Sequence, residues 1–290
     1  MALRAKKPEI KLPRLKVLLF SKEGVGKTHF CCSFPDTYYI DTEGLDDYPH
    51  FGEMIINNGG EMICLNDIEE IINEVKDLIS IKHNYKTLII DSLSFPYALL
   101  AQMEAERLSK KGAEGTEFGA NLAKGKRLVF QLGILLSRLD MNVIVIAHER
   151  VKFEKNVEIG TTYDISDKMA YSLGAVWNMK ILGSAKKLFI NKSRYPQLKV
   201  GESLDFENGY EVIKNIFGEA IFKRESVIKE LASNDQIIEI KRLIQSLNIS
   251  DERVNKILIN AKATHLEDIE KNYMDKLIAS MLKTIQGEAA

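Results

Sequence analysis

The sequence predicts an α/β protein: a mostly parallel sheet covered by helices on both faces, followed by a small helical C-terminal module. Three observations predict it. Short apolar runs alternate with stretches of helical spacing, the pattern of βαβ units. Four of those runs end in a glycine-containing loop, an acid or a histidine, the polar edge that open α/β sheets present to ligands. Beyond about residue 225, glycine is absent until Gly287, and three helical stretches follow.

The elements can be taken in order. Leu15 to Phe20 reads as a buried parallel strand, and a helix opens near Gly26 and stops at Phe34-Pro35-Asp36. Thr37 to Asp41 is a second strand, residues 67–80 a helix, and Thr87 to Asp91 a third strand. Residues 96–109 and 119–139 have helical spacing, with a glycine-containing loop between them. Asn142 to Ala147 is a fourth strand with His148 at its tip. Residues 150–167 show weak periodicity and read as a long loop, with a hairpin as the alternative. Trp177 to Leu182 and Lys187 to Ile190 complete the strands. In the C-terminal part, Ser233 with Gln236 and Thr264 with Glu267 have capping-box spacing, and Asn248-Ile249-Ser250 separates the first helix from the second. The expected division is a basic segment over 1–14, a core over 15–222 and a helical module over 226–290.

The chain has 290 residues, 45% hydrophobic and 28% charged, with a net charge of −1. No apolar run approaches the ~20 residues of a membrane span, and the N-terminus lacks the apolar stretch of a secretory signal. Cys31, Cys32 and Cys64 suit neither a disulfide framework nor a zinc site, so the expected compartment is a reducing cytoplasm. Charge is unevenly spread. Residues 1–16 carry Arg4, Lys6, Lys7, Lys11, Arg14 and Lys16 against Glu9, and residues 180–199 carry bases only. Such segments fit either a local polyanion site or solvated surface.

The chemistry concentrates in Ser21-Lys22-Glu23-Gly24-Val25-Gly26-Lys27-Thr28, between an apolar strand and a helix. A phosphate loop needs bare backbone amides, a lysine across the phosphates and a hydroxyl on Mg²⁺. Gly24, Gly26, Lys27 and Thr28 supply these, while Ser21 stands where the pattern has glycine. Asp91, ending an apolar strand, suits a water-mediated Mg²⁺ ligand; a helix cap is the alternative. In Ile40-Asp41-Thr42-Glu43-Gly44, hydrolysis would need one carboxylate to orient water, and Glu43 is favoured over Asp41, which would otherwise accept from loop amides. Asn191-Lys192-Ser193-Arg194 begins like a guanine-reading motif, but Arg194 cannot accept hydrogen bonds from guanine, so ATP is expected rather than GTP.

Phosphate loop, then Ile40 to Gly44, then Leu88 to Ser92, then Val143 to His148, in that order, resembles the RecA-like recombinase core over roughly residues 12–215. More narrowly it resembles the phage-encoded RecA-like, AAA-type ATPases of the single-strand annealing and recombination group. That resemblance implies an oligomeric ATPase, as filament or ring, using ATP and Mg²⁺ and binding single-stranded DNA. It also implies contacts with single-strand binding or other replication proteins, and a bacterial host cytoplasm. Glu43 matches the family's catalytic glutamate, Asp91-Ser92 its metal-binding pair, and His148 its γ-phosphate sensor, a sheet-edge hydrogen bond being the bland alternative. Lys110 and Lys111 fall in the first DNA loop and Arg150, Lys152 and Lys155 in the second. Lys192 or Arg194 matches the basic residue that a neighbouring subunit supplies, with ordinary surface charge as the alternative. A helicase-type or loader ATPase and an ATP-gated scaffold with little turnover are the competing functions.

Overall fold

A computed structural model describes residues 5, 7, 12–110, 117–155 and 157–288. Among them, nine strands form one sheet, in the order β3-β2-β4-β5-β1-β7-β8-β9, with β6 paired to the far part of β5. The strands are β1 Lys16–Ser21, β2 Thr37–Asp41, β3 Glu61–Cys64, β4 Thr87–Asp91, β5 Asn142–Glu154, β6 Val157–Tyr163, β7 Ala175–Leu182, β8 Ala185–Ser193 and β9 Ser203–Asp205. From β3 through to β7 all neighbours are parallel, and β8 and β9 add antiparallel strands at one edge.

Period-two alternation divides the strand residues between two cores. On one face, Leu18, Phe20, Ile40, Leu88, Ile90, Val143 and Val145 pack against α3 Ile68–Ser80, α4 Ser94–Lys110, α5 Ala123–Arg138 and α6 Asp167–Ser172. On the other, Val17, Leu19, Tyr39, Ile89, Ile144, Ile146 and Trp177 meet α1 Lys27–Cys32, α2 Pro49–Asn57, α7 Gly209–Phe217 and the short α8 Ala220–Lys223. Both faces are apolar, which is why these strands read as unbroken hydrophobic runs. Asp67 caps α3 through the amides of Glu69 and Glu70, setting its first residue.

Residues beyond 233 form α9 Asn234–Ser246, α10 Asp251–Ala261 and α11 Lys271–Glu288 around a separate apolar cluster that includes Ile240, Leu243, Ile269 and Met274. Ser233 and Gln236 make the expected capping box. The second box is displaced by one residue: His265 and Asp268 make it, and Thr264 donates to Asp268 at 2.8 Å instead.

Other departures have physical causes. Within 150–167 the alternative reading holds: residues 150–154 and Val157–Tyr163 pair as the β5–β6 hairpin, because β5 runs on beyond the sheet and its freed edge pairs with β6. The strands after residue 175 make an antiparallel hairpin, closed by Gly183 and Ser184, at the edge of the parallel array. Helix α2, strand β3 and helix α7 were not legible as separate elements. Two residues of the basic N-terminal strip turn inward. The Arg14 guanidinium is buried, bonded to Asp140 and to the carbonyls of Ile221, Arg224 and Glu225. Lys16 Nζ donates to Leu136 and Leu139 O at 2.8 and 2.6 Å, satisfying free carbonyls at the end of α5. Neither cation is available to a polyanion. Among the described residues no helix is long and apolar enough to cross a membrane.

Candidate active site

β1, β5, β4 and β2 deliver their C-terminal ends to one edge of the sheet. The ladders put Ser21 beside His148 and Asp41 beside Asp91. Residues 21–28 connect β1 to α1, with Gly24 at φ 74° and Gly26 at φ 99°, backbone conformations that a side chain would strain. Ser21, by contrast, is the last residue of the β1 ladder, so its extended backbone needs no glycine. Its Oγ lies 3.2 Å from Lys27 Nζ, which also donates to the carbonyls of Ser21 and Lys22 at 3.2 and 3.1 Å. Lys27 is therefore drawn across the loop; burial lowers its pKa, opposed by the charges of Asp91 and Glu43.

Thr28 Oγ1 donates to Asp91 Oδ2 at 2.8 Å, and the same oxygen accepts from the Tyr39 hydroxyl at 2.6 Å. Burial raises the Asp91 pKa despite those two donors. A buried carboxylate beside a hydroxyl offers the hard oxygen donors that Mg²⁺ takes, so Thr28 and Asp91 fit that ion. Tyr39 escaped the sequence reading, although its alternation with Asp41 places it on the α1 side. Asp41 itself accepts from the amides of Glu43 and Leu45 at 3.0 and 2.6 Å, holding the turn after β2.

That turn places Glu43 in a second network. His148 Nε2 lies 3.0 Å from Glu43 Oε1, and the Ser92 hydroxyl donates to the same oxygen. Burial pushes the Glu43 carboxyl up, but His148, Ser92 and Lys27 together outweigh it and hold it below its ordinary value. The hydrogen bond to Glu43 raises the His148 pKa against its partial burial. Thr42 Oγ1 donates to Ser92 O at 2.7 Å and accepts from Ser92 N at 3.0 Å, fastening the β2 and β4 turns to each other. A cleft of about 470 Å³, lined by Thr42, Glu43, Asn66, Ser94, His148 and Asp164 among others, opens beside this network.

Three further candidates stay on the phosphate loop itself, and the rest lie elsewhere. Lys22 and Glu23 are exposed and Val25 half-buried on the loop. Lys110 is exposed at the end of α4, and Lys111 lies outside the described residues. Arg150, Lys152 and Lys155 are exposed on the β5–β6 hairpin. Lys192 Nζ donates to the carbonyls of Ala170 and Leu173, and Arg194 to Tyr171 O, so both satisfy the C-terminal end of α6 in their own chain. Lys192 is level with Val176, near the start of β7 and away from the phosphate loop.

The AAA domain family matches residues 14–181, more than half of the chain. The chain belongs to that AAA domain family. It is a P-loop protein with a mostly parallel α/β sheet, in which the strand bearing Asp91 is separated from the phosphate-loop strand by β5 alone. Such P-loop NTPases imply nucleotide hydrolysis and generally use ATP and Mg²⁺. No curated protein matches the sequence. Among solved structures, the chain is similar to one titled as the crystal structure of the RadB recombinase, at 15% identity and a TM-score of 0.42, over 66% of this chain and 86% of that one.

Proposed function

We propose that this AAA-family protein is an ATPase of DNA recombination that binds ATP·Mg²⁺ on residues 21–28 and acts on single-stranded DNA as an oligomer. The observation that carries the ATPase reading is the Glu43–His148–Ser92 network beside the Thr28–Asp91 pair. Thr28 and Asp91 would hold Mg²⁺, which neutralises charge on the phosphates. Lys27 would neutralise the β- and γ-phosphates, and loop amides would bind their oxygens. Glu43, kept ionised, would orient and deprotonate the attacking water, with His148 sensing the γ-phosphate.

The nucleic-acid reading is supported by the β5–β6 hairpin through its exposed aromatic, Phe153, since Glu154 and Glu158 offset the charge of Arg150, Lys152 and Lys155. An exposed ring there suits a single strand by base stacking. In the finer reading the chain belongs to the phage-encoded annealing and recombination group, with residues 15–222 as the motor and 226–290 for oligomer or partner contacts.

ATP turnover with and without single-stranded DNA, together with mass determination in solution, tests the proposal. DNA-stimulated turnover by an oligomer is expected. A strictly monomeric protein indifferent to DNA would sink it, and strand displacement on a forked duplex would transfer it to the helicase class.

A further inference from the structure

The β7–β8 hairpin outruns the sheet. β7 pairs with β1 as far as Phe20 and Asn178, then continues to Leu182 before Gly183 and Ser184 turn it into β8. At ~3.3 Å per residue, this carries the turn roughly 13 Å beyond the ladder. That is the end at which β1 enters the phosphate loop. Trp177, Met179, Leu188 and Ile190 fill the core on the α1 side. Lys186, two residues before Leu188, continues the same face past that core.

Its reach follows from this placement. A methyl group on Gly26 would lie 3.6 Å from Lys186 Nζ. Lys186 is half-buried, and among the described residues its ammonium has no carboxylate partner, whereas adjacent Lys187 lies 2.9 Å from Asp205. A partly desolvated cation held over a bare-backbone phosphate loop calls for a counter-anion. Lys192 and Arg194 are satisfied by α6 carbonyls in this chain, so they do not meet that need here.

We propose that Lys186 is a second phosphate-binding lysine, contributed by the same chain as Lys27, and that the β7–β8 hairpin tip is thereby part of the nucleotide site. This rests on the reading of residues 21–28 as that site. Phosphate oxygens of the bound nucleotide would replace solvent around Nζ, so the hairpin would contact the nucleotide directly.

Equilibrium binding of ATP and ADP with Mg²⁺, at two salt concentrations, tests it on wild type, Lys186→Gln, Lys186→Arg, Lys187→Gln and Lys27→Ala. Loss of one charge-assisted contact predicts a roughly 10- to 100-fold weaker ATP affinity in Lys186→Gln. Its salt dependence should be shallower and its melting temperature without nucleotide unchanged. Lys186→Arg should stay within a few-fold of wild type, and Lys187→Gln should match it. A Lys186→Gln protein that binds ATP like wild type, while Lys27→Ala does not, would overturn the role of Lys186 and leave the nucleotide site standing. Failure of the wild type itself to bind would overturn the site and the lysine's role together.

Discussion

His148 Nε2 stands 3.0 Å from Glu43 Oε1, joining β5 to the turn after β2 across the intervening strand β4. The pairing raises the histidine pKa and helps to lower that of the glutamate. Each shift makes stability depend on pH. The histidine's contribution is fully present below its ordinary value of 6.5 and is lost as pH rises through the higher folded value. The glutamate's is present above 4.5 and is lost as pH falls through the lower folded value. Wild type should therefore exceed His148→Ala most clearly near pH 5.5 and least near pH 9. Both groups are partly exposed, so the pH-dependent part should stay below about 1 kcal/mol. Urea unfolding at the two pH values measures it; an equal difference at both would refute the ion pair.

If Glu43 is the base, Glu43→Gln keeps the size of the side chain and its capacity to hydrogen-bond while losing the proton acceptor. Turnover should fall by roughly 10²- to 10⁴-fold with ATP affinity nearly unchanged. Single-turnover hydrolysis beside equilibrium ATP binding checks this, and wild-type turnover in the variant would remove Glu43 from the chemistry.

Asp91 predicts a trade between stability and activity. Its buried carboxylate is costly to ionise, as the raised pKa indicates, and Thr28 and Tyr39 both donate to it. Asp91→Asn removes the charge and keeps an acceptor oxygen there. The nucleotide-free protein should be as stable as wild type or up to about 1 kcal/mol more so, whereas Mg²⁺-dependent turnover should be lost. Thermal unfolding without nucleotide and a Mg²⁺ titration of turnover separate the two effects.

Much of this site was legible because local pattern and chain order carry it. An apolar run, two glycines and Lys27-Thr28 identify a strand, a loop and a helix start, and Asp91 closes a run whose alternation is unmistakable. Ser21 looked anomalous only because the sequence does not reveal that the strand extends through it. What depends on direction or reach was hidden. A run such as Ala175 to Leu182 reads alike whether its neighbour is parallel or antiparallel, so neither the hairpin nor its overhang could be deduced. Lys186 then looked like one base among several. Arg14 and Lys16 misled in the opposite sense, because their carbonyl partners come from distant segments.

Asp268 couples the C-terminal helices to the core, and its removal should be felt there first. The carboxylate is 1% exposed. It lies 2.8 Å from Lys76 Nζ on α3, accepts from Gln131 on α5 at 3.2 Å, and accepts from Thr264 at 2.8 Å. Burial pushes its pKa up, but Lys76 and Thr264 outweigh that and hold it low. Its contribution is thus present above the ordinary value of 3.8 and lost as pH falls through the folded value. Asp268→Ala leaves Lys76 and Gln131 facing a space without an acceptor, a loss of about 2–4 kcal/mol. The penalty falls on the contact between α3, α5 and the segment before α11, so cleavage around residues 225–233 should accelerate. Limited proteolysis read by mass, beside ATP binding, checks this. Faster cleavage there with ATP affinity retained is expected, whereas simultaneous loss of ATP binding would mean that the C-terminal helices and the phosphate loop unfold as one unit.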